Sequence, residues 1–235
     1  METNGVGTTT EELFAAALDE VRADQAGPDD VAIPCLVALH NRPTRDVFDR
    51  ATRLLTCEDP LERELGARVL RELGPYDSEG RRPFTEETVD AVTTEMADEP
   101  DPWVLRWMIS TLGYHQARRT LGTVLGHQAH PAQPVRFAVA AALPLLADPE
   151  QTEPQVLEAI LRLAEDEDAA VRWYALYALF NETAGVTDGR RTLWAAHLTS
   201  RADTRRREEL SHLATTLDDG ADPALRELLG RATGE

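Results

Sequence analysis

The stretch EDEDAAVRWYALYAL, residues 165–179, decides the architecture of this chain of 235 residues. Asp168 opens a helical segment, and Leu179 follows it by eleven positions. Val171, Ala175 and Leu179 fall at i, i+4 and i+8, which places them on one side of an α-helix. The stretch therefore predicts a helix that is capped by an aspartate and buries one apolar stripe.

The same spacing recurs along the chain. In each of five segments a starting residue, usually Asp, is followed eleven positions later by Leu within an apolar helical stretch. These starts lie 42, 31, 36 and 34 residues apart, a period typical of stacked helix pairs. Such repeats usually provide a long binding surface and not a catalytic pocket. The five pairs are Asp59 with Leu70, Asp101 with Leu112, Ala132 with Leu143, Asp168 with Leu179, and Ala202 with Leu213.

Start and stop signals divide the chain into helix pairs. An atypical first pair, at about 9–23 and 31–39, is predicted to cap the stack. The Gly- and Pro-rich stretch 74–83 is expected to be a surface loop and not a domain boundary. The remaining predicted helices span 44–56, 60–73, 85–97, 102–112, 116–128, 132–146, 153–164, 169–181, 190–199, 203–217 and 223–229.

The net charge of the chain indicates which classes of partner it can attract. The chain has 42 acidic and 24 basic residues, which give a net charge of −18. All 24 basic residues are Arg. Such a chain repels nucleic acid on average. An acidic surface suits a basic partner, and it also serves plain solubility. With no apolar run longer than 137–147 and no signal-peptide pattern, we expect a soluble, cytoplasmic protein.

The segments resemble HEAT-like repeats of the kind also found in phycobilisome (bilin) lyases. The signature of their second helices is D-x-x-V-R-x-x-A-x-x-x-L, and residues 168–179 match it at every position, while the other segments match in part. The resemblance covers about 44–217. It implies an all-α, right-handed solenoid of five to six antiparallel helix pairs, whose second helices line the concave face. We expect one repeat domain over 1–235, with an N-terminal capping repeat at 1–43, repeats at 44–217 and a C-terminal cap or tail at 218–235.

The positions that follow the Val-Arg pair resemble the groove-facing positions of this family. Aromatic side chains with Arg at the margin are typical of protein-binding hot spots. The alternative is that these rings pack between adjacent repeats, and the sequence leaves both possibilities open. The candidate partner-binding residues are Arg106, Trp107, Tyr114, Phe137, Trp173, Tyr174, Tyr177 and Arg207.

A repeated arginine has a structural interpretation. In the family such residues pair with the Asp of a neighbouring repeat, which forms a ladder between repeats. The resemblance implies acceptors at Asp59, Asp101 and Asp168. The arginines in question are Arg63, Arg136, Arg172 and Arg206.

Motifs that carry chemistry are scarce. His127 and His130 could share one helical face, but the sequence offers no third ligand, so no metal site is predicted. Cys35 and Cys57 form no redox or metal motif and are expected to be buried structural thiols. We expect no cofactor and no catalytic residue.

These observations favour a non-enzymatic module that binds a protein, specifically a basic one. One concrete version is an immunity protein or antitoxin that neutralises a basic toxin such as a nuclease. A regulatory scaffold of an enzyme complex is the alternative. HEAT-like alkylpurine DNA glycosylases use Trp, Asp and Arg on the concave face, and Trp107, Trp173, Asp168 and Arg106 are available here. The acidity of the chain argues against that activity, because DNA affinity depends on phosphate contacts.

Overall fold

The computed structural model describes residues 8–26, 32–217 and 223–230. Within these ranges every regular element is helical, and no strand is present. By its internal contacts the chain divides into two compact units, residues 1–117 and 118–235. The loop at 74–83 lies inside the first unit, so the division falls elsewhere. The organisation as one repeat domain over 1–235 stays a prediction.

Within its described residues, the first unit contains three helix pairs. Helix α4 packs against its partner α3 and also against α6, so the second helices of successive pairs lie side by side. The helices are α1 (Thr10–Ala26), α2 (Pro34–His40), α3 (Arg45–Leu54), α4 (Pro60–Arg71), α5 (Thr85–Met96) and α6 (Pro102–Tyr114).

In the part of the second unit that the structure describes, three further pairs are followed by one more helix. Its second helices, α8, α10 and α12, again pack in succession, and α13 packs on α11 and α12. After a 3-10 turn at Arg118–Thr120, the elements are α7 (Leu121–Leu125), α8 (Gln133–Leu146), α9 (Pro154–Leu163), α10 (Ala169–Tyr177), a π-helical segment (Ala178–Glu182), α11 (Asp188–Arg201), α12 (Thr204–Thr216) and α13 (Pro223–Gly230).

The predicted all-α solenoid class of repeated helix pairs is confirmed, with two differences in element bounds. The helix predicted at 116–128 is reduced to α7, because Gln116 adopts a left-handed conformation (φ 49°) and Gly122 and Gly126 weaken the helix. The helix predicted at 169–181 turns π-helical after Tyr177. The start of the helix predicted at 31 lies outside the described residues.

The repeated leucine is the centre of the core. All five leucines that follow the starting residues by eleven positions are 0% exposed. Helix α4 approaches α3 so closely that a Cβ at Gly66 would lie 2.7 Å from the Ala51 carbonyl oxygen. The spacing read from the sequence therefore identified one fully buried leucine in every second helix. The five residues are Leu70, Leu112, Leu143, Leu179 and Leu213.

The aspartates at the repeat starts are helix caps. The carboxylate of Asp101 accepts the N–H groups of Trp103 and Val104 at 2.8 and 3.2 Å. Asp59 and Asp168 cap α4 and α10 in the same way. These bonds satisfy backbone donors that have no partner inside the helix. Their role as caps is confirmed.

The fifth start is one residue later than the spacing predicts. Ala202 belongs to the end of α11, and Asp203 is the cap of α12, accepting the N–H of Arg206 at 2.9 Å. Every position counted from the cap therefore shifts by one in this repeat. Arg207, and not Arg206, stands four residues after the cap of its helix. Arg63, Arg136 and Arg172 stand at the same distance from the caps of their own helices.

Three arginines form a ladder with one repeating geometry. In each, Nη1 donates to the two carbonyl oxygens five and six residues earlier, at 2.9 to 3.0 Å. The other nitrogens form a bidentate ion pair with a carboxylate of the following repeat. The pairs are Arg63 with Glu99, Arg136 with Asp166, and Arg172 with Glu209.

The predicted ladder acceptors are wrong. Asp101 and Asp168 are occupied as caps, and the arginines instead pair with the acids two residues before them, Glu99 and Asp166. Each of these acids also accepts the N–H of the capping Asp, at 2.9 and 2.8 Å. In the fifth repeat the corresponding position is Arg201, a base, so Arg172 reaches Glu209 on α12.

The cysteines are less buried than expected. Both Cys35 and Cys57 are free and partly exposed, and Cys57 lies beyond the end of α3. The Glu20 carboxylate, which accepts the backbone N–H of Cys35, raises the pKa of the Cys35 thiol, and burial raises that of Cys57. Both thiols therefore favour the protonated, unreactive form.

Removing a ladder arginine should destabilise the protein. We expect Arg172→Ala to lower the free energy of unfolding by about 2–3 kcal/mol, because it removes charged hydrogen bonds from a residue that is 4% exposed. The control is Arg162→Ala, whose ion pair with Glu158 is exposed, with an expected loss below about 0.5 kcal/mol. Urea denaturation measures both, and equal losses would contradict the ladder.

The first unit should lose stability as the pH falls. His115 lies 2.9 Å from the Leu70 carbonyl oxygen, and burial lowers the pKa of His115 below its ordinary 6.5. Between 6.5 and that lowered pKa the unfolded chain binds more protons, so the stability present above 6.5 is lost as the pH falls through this window. The pKa of His40 is lowered by burial as well.

We therefore expect the free energy of unfolding of wild type to fall between about pH 7.5 and 5.5, and that of His115→Gln to fall less. Urea denaturation across this range measures the difference. Identical slopes for the two proteins would show that His115 takes up its proton equally well in the folded state.

Candidate functional site

The candidate residues occupy one side of the second helices. Successive residues of an α-helix are turned by about 100°. Positions five, nine and thirteen residues after the cap therefore lie roughly opposite the buried stripe at three, seven and eleven, and position six lies between the two sides. We call these four positions the slots. Because the slots belong to both units, they are described separately in each.

In the second unit the slots carry a row of aromatic rings. Phe137 of α8 meets Tyr174 of α10 edge to face, with ring centroids 5.4 Å apart. Tyr174 also meets Tyr177 at 6.1 Å, and Trp173 stacks on His212 of α12 at 5.0 Å. The row thus crosses all three second helices of this unit. Its four predicted members are half-buried and His212 is exposed, so the rings pack on one another and still reach the surface.

His212 was missed in the sequence because of the shifted cap. Counting from Ala202 placed Arg207 and Glu208 in the first two slots, whereas counting from Asp203 places Glu208, Glu209 and His212 in slots. Arg207 is exposed and lies at the ladder position. Its role in partner binding stays a prediction. The signal that could have found His212 was Asp203 itself, a better cap than alanine.

In the first unit the rings of α6 are covered by arginines. The guanidinium of Arg71 lies 3.6 Å from the centroid of the Tyr114 ring, and Arg68 lies 4.5 Å from that of Trp107. Arg106 lies 5.0 Å from the Trp107 centroid. The structure thus brings Arg106, Trp107 and Tyr114 together and adds two arginines of α4. Contacts of this kind are worth about 0.5–2 kcal/mol each, depending on desolvation.

A buried charge network supports this cluster. Arg68 pairs with Asp24 of α1 at 2.7 Å and with Glu64 at 3.2 Å, and the Glu64 side chain is 1% exposed. Gln25 donates a hydrogen bond to Glu64. Burial raises the pKa of Glu64, which the arginine and the amide oppose. Helix α1 therefore contributes its last turn to the slot side of α4.

The network could have been found from the sequence. In the Asp59 repeat three of the four slots hold Glu64, Arg68 and Glu72, whose opposite charges at four-residue spacing indicate ion pairs on one helix side. The fourth slot holds Leu65, which is buried. The predictions drew candidates only from the later repeats. Another slot in the second unit, thirteen residues after Ala132, holds Leu145, which is 43% exposed.

The remaining candidates for chemistry in the sequence are a histidine pair and the Asp168 carboxylate. The rings of His127 and His130 are 6.3 Å apart, and His130 accepts the N–H of Ala132. Across the described residues no group of three or more His, Cys, Asp or Glu could hold a metal ion. Asp168, considered for a glycosylase, is engaged in its cap and with Gln133. No helix in the described part of the chain combines the length and apolarity that a membrane span requires.

Comparison with known proteins bears on the fold. The sequence profile of HEAT repeats matches residues 89–179. No curated protein matches the chain. Among solved structures, a designed armadillo repeat protein, YIII(Dq)4CqI, is 10% identical, with 97% of this chain and 94% of that chain covered and a TM-score of 0.50.

Two further structures are similar at lower TM-scores. YibA of Escherichia coli is 12% identical, with 98% of this chain and 97% of that chain covered and a TM-score of 0.48. An engineered protein is 14% identical, with 97% and 91% covered and a TM-score of 0.45. At such identities the armadillo repeat match shows the fold alone. The profile match confirms the resemblance seen in the signature: residues 89–179 of this chain are similar to HEAT repeats.

Proposed function

We propose that this chain is a non-enzymatic protein-binding module whose partner docks on the slots of the second helices. Helical repeats of this kind typically serve as protein-binding scaffolds. The observation that carries the proposal is the aromatic row of Phe137, Tyr174, Tyr177, Trp173 and His212. Its rings line three successive helices on the side away from the core.

The row has the physical properties of a binding surface. Large rings held by their neighbours lose little conformational entropy when a partner covers them, and they desolvate a wide area. Partner anchors of this type carry most of the binding energy in protein interfaces. We expect Trp107 to act in the same way in the first unit, with Tyr114 beside it. Arg106 and the exposed Arg207 would orient acidic or carbonyl groups at the margin.

The partner we propose is a basic protein. At −18 the chain attracts positive charge over long distances, which raises association rates. The faces of Tyr and Trp rings also attract Arg and Lys side chains directly. An immunity protein or antitoxin for a basic toxin, such as a nuclease, satisfies both conditions. A regulatory scaffold subunit would use the same surface, and the identity of the captured partner separates the two.

A charged side chain introduced into the aromatic row should leave the stability of the fold nearly unchanged. We expect Tyr177→Glu to change the free energy of unfolding by less than about 1 kcal/mol, because the side chain reaches the surface. Leu179→Glu, two residues away at a position that is 0% exposed, should cost more than about 4 kcal/mol. Thermal and urea denaturation measure both. A loss for Tyr177→Glu as large as for Leu179→Glu would place the ring in the core.

The same row should be required for binding. Wild type used as bait in lysate of the source organism should retain a basic protein, and the double variant Trp173→Glu/Tyr177→Glu should not. The matched control is Leu193→Glu on α11, which adds one negative charge at a side chain that is 71% exposed and lies on a first helix. Mass spectrometry identifies the captured proteins. Equal capture by wild type and the double variant would refute the proposal.

A further inference from the structure

The first unit carries a concentration of positive charge that contrasts with the acidity of the chain. We call it the arginine–aromatic cluster and define it by Arg71, Arg106, Trp107 and Tyr114. Its two arginines lie over the two rings, at 3.6 Å for Arg71 on Tyr114 and 5.0 Å for Arg106 on Trp107. Arg68 and Arg82 lie next to it, on Trp107 and on Tyr76.

Arg71 is incompletely satisfied by the protein. Among the described residues it donates one hydrogen bond, to the neighbouring Glu72, and its buried Nε has no hydrogen-bond partner. The Arg71 side chain as a whole is 19% exposed. Burial lowers the pKa of Arg71, and the Glu72 carboxylate only partly opposes this. An additional carboxylate would supply the compensation that the protein lacks.

Arg106 is also partly buried and lies close to other positive charges. Burial lowers the pKa of Arg106, and the positive charges of Arg68 and Arg71 lower it further. Of the acids that oppose them, Glu64 is itself buried and already hydrogen-bonded to Arg68 and Gln25. The positive charges of the cluster are therefore crowded together in a partly desolvated place, where an anion interacts more strongly than in water.

The cluster is open to solvent at its edges. Trp103, 5.3 Å from the Arg106 guanidinium, is 45% exposed, and Tyr76 is 46% exposed. The Tyr76 hydroxyl donates to the Tyr114 carbonyl oxygen at 2.9 Å, which holds this ring beside the cluster. Arg82 lies 4.0 Å from the centroid of that ring and hydrogen-bonds the Gly74 carbonyl. These rings provide apolar walls on two sides of the arginines.

We propose that the arginine–aromatic cluster binds a side-chain carboxylate of an acidic peptide segment, with Arg71 and Arg106 pairing with the carboxylate and the rings flanking it. The planar fork of a guanidinium matches the two oxygens of a carboxylate. A phosphate would bring more negative charge next to Glu72 and Asp24, which are about one-third exposed. The inference rests on the proposed function only in that a partner protein supplies the peptide. That partner then carries an acidic segment besides its basic surface.

The test compares three short peptides with the same neutral Gly/Ser flanks. One contains two Glu, the second contains two Gln, and the third contains two phosphoserines. Binding is followed by NMR from the indole N–H signals of the four tryptophans, with Trp107 assigned by Trp107→Phe. We expect the Glu peptide at millimolar concentration to shift the Trp107 signal and to leave the Trp194 signal in place. Its binding should weaken when salt is added.

Variants of the two arginines complete the test. The double variant Arg71→Glu/Arg106→Glu should lower the affinity for the Glu peptide at least tenfold. If the double variant does not fold, the milder Arg106→Gln is measured in its place. The control is Arg53→Glu, at an exposed position of α3 in the same unit, which should change affinity less than twofold. No shift with the Glu peptide, equal binding of the Gln peptide, or an equal loss in Arg53→Glu would overturn the inference. Tighter binding of the phosphoserine peptide would also overturn it, because phosphate would then be the recognised group.

The experiment separates this inference from the proposed function. Peptide binding can fail while wild type still captures a basic protein through the aromatic row of the second unit. Conversely, the Glu peptide can bind to a protein that captures no partner from lysate. Only the first result removes the carboxylate site, and only the second removes the protein-binding function.

Discussion

The clamp made by each ladder arginine is the interaction on which the repeat geometry depends. One guanidinium bonds two carbonyl oxygens at the start of its own helix and, on its other side, a carboxylate of the next repeat. It thereby fixes the start of one second helix relative to the next second helix in the same unit. In two of three rungs the acceptor, Glu99 or Asp166, also bonds the N–H of the capping aspartate. Ladder and cap form one polar assembly, and its geometry brings the slots of neighbouring helices into a row.

The buried side of the fold could be predicted from the sequence because it follows helical periodicity alone. Leucines at one fixed distance from the starting residues read from the sequence are all fully buried, and the caps satisfy donors that every helix leaves open. The ladder acceptors were not predictable in the same way. The sequence places two acids near each repeat start, an aspartate at the cap and another acid two residues earlier. It does not indicate which of the two pairs with the arginine. The cap uses the first carboxylate, which leaves the second for the arginine.

The candidate site was only partly predictable, for two physical reasons. An error of one residue in the helix start rotates every later position by about 100°. Arg207 was therefore predicted as a slot residue, and His212 was not. Contacts between helices, such as Arg71 on Tyr114, depend on how α4 and α6 pack, and no spacing within one helix contains that information. Where the starting residue read from the sequence is the cap itself, the slots contain the residues counted from it, as Trp173, Tyr174 and Tyr177 show.

The slots of the two units differ in chemistry, with neutral rings in the second and arginine-covered rings in the first. A partner that meets either set must bury aromatic surface, so contact at the rings is the central claim. Site-specific photo-crosslinking tests it most directly, with p-benzoyl-phenylalanine in place of Tyr174 or, as the control, of Leu193 on α11. We expect a basic protein of the source organism to be covalently captured from position 174 and not from 193. Capture from 193 alone, or equally from both positions, would contradict the account.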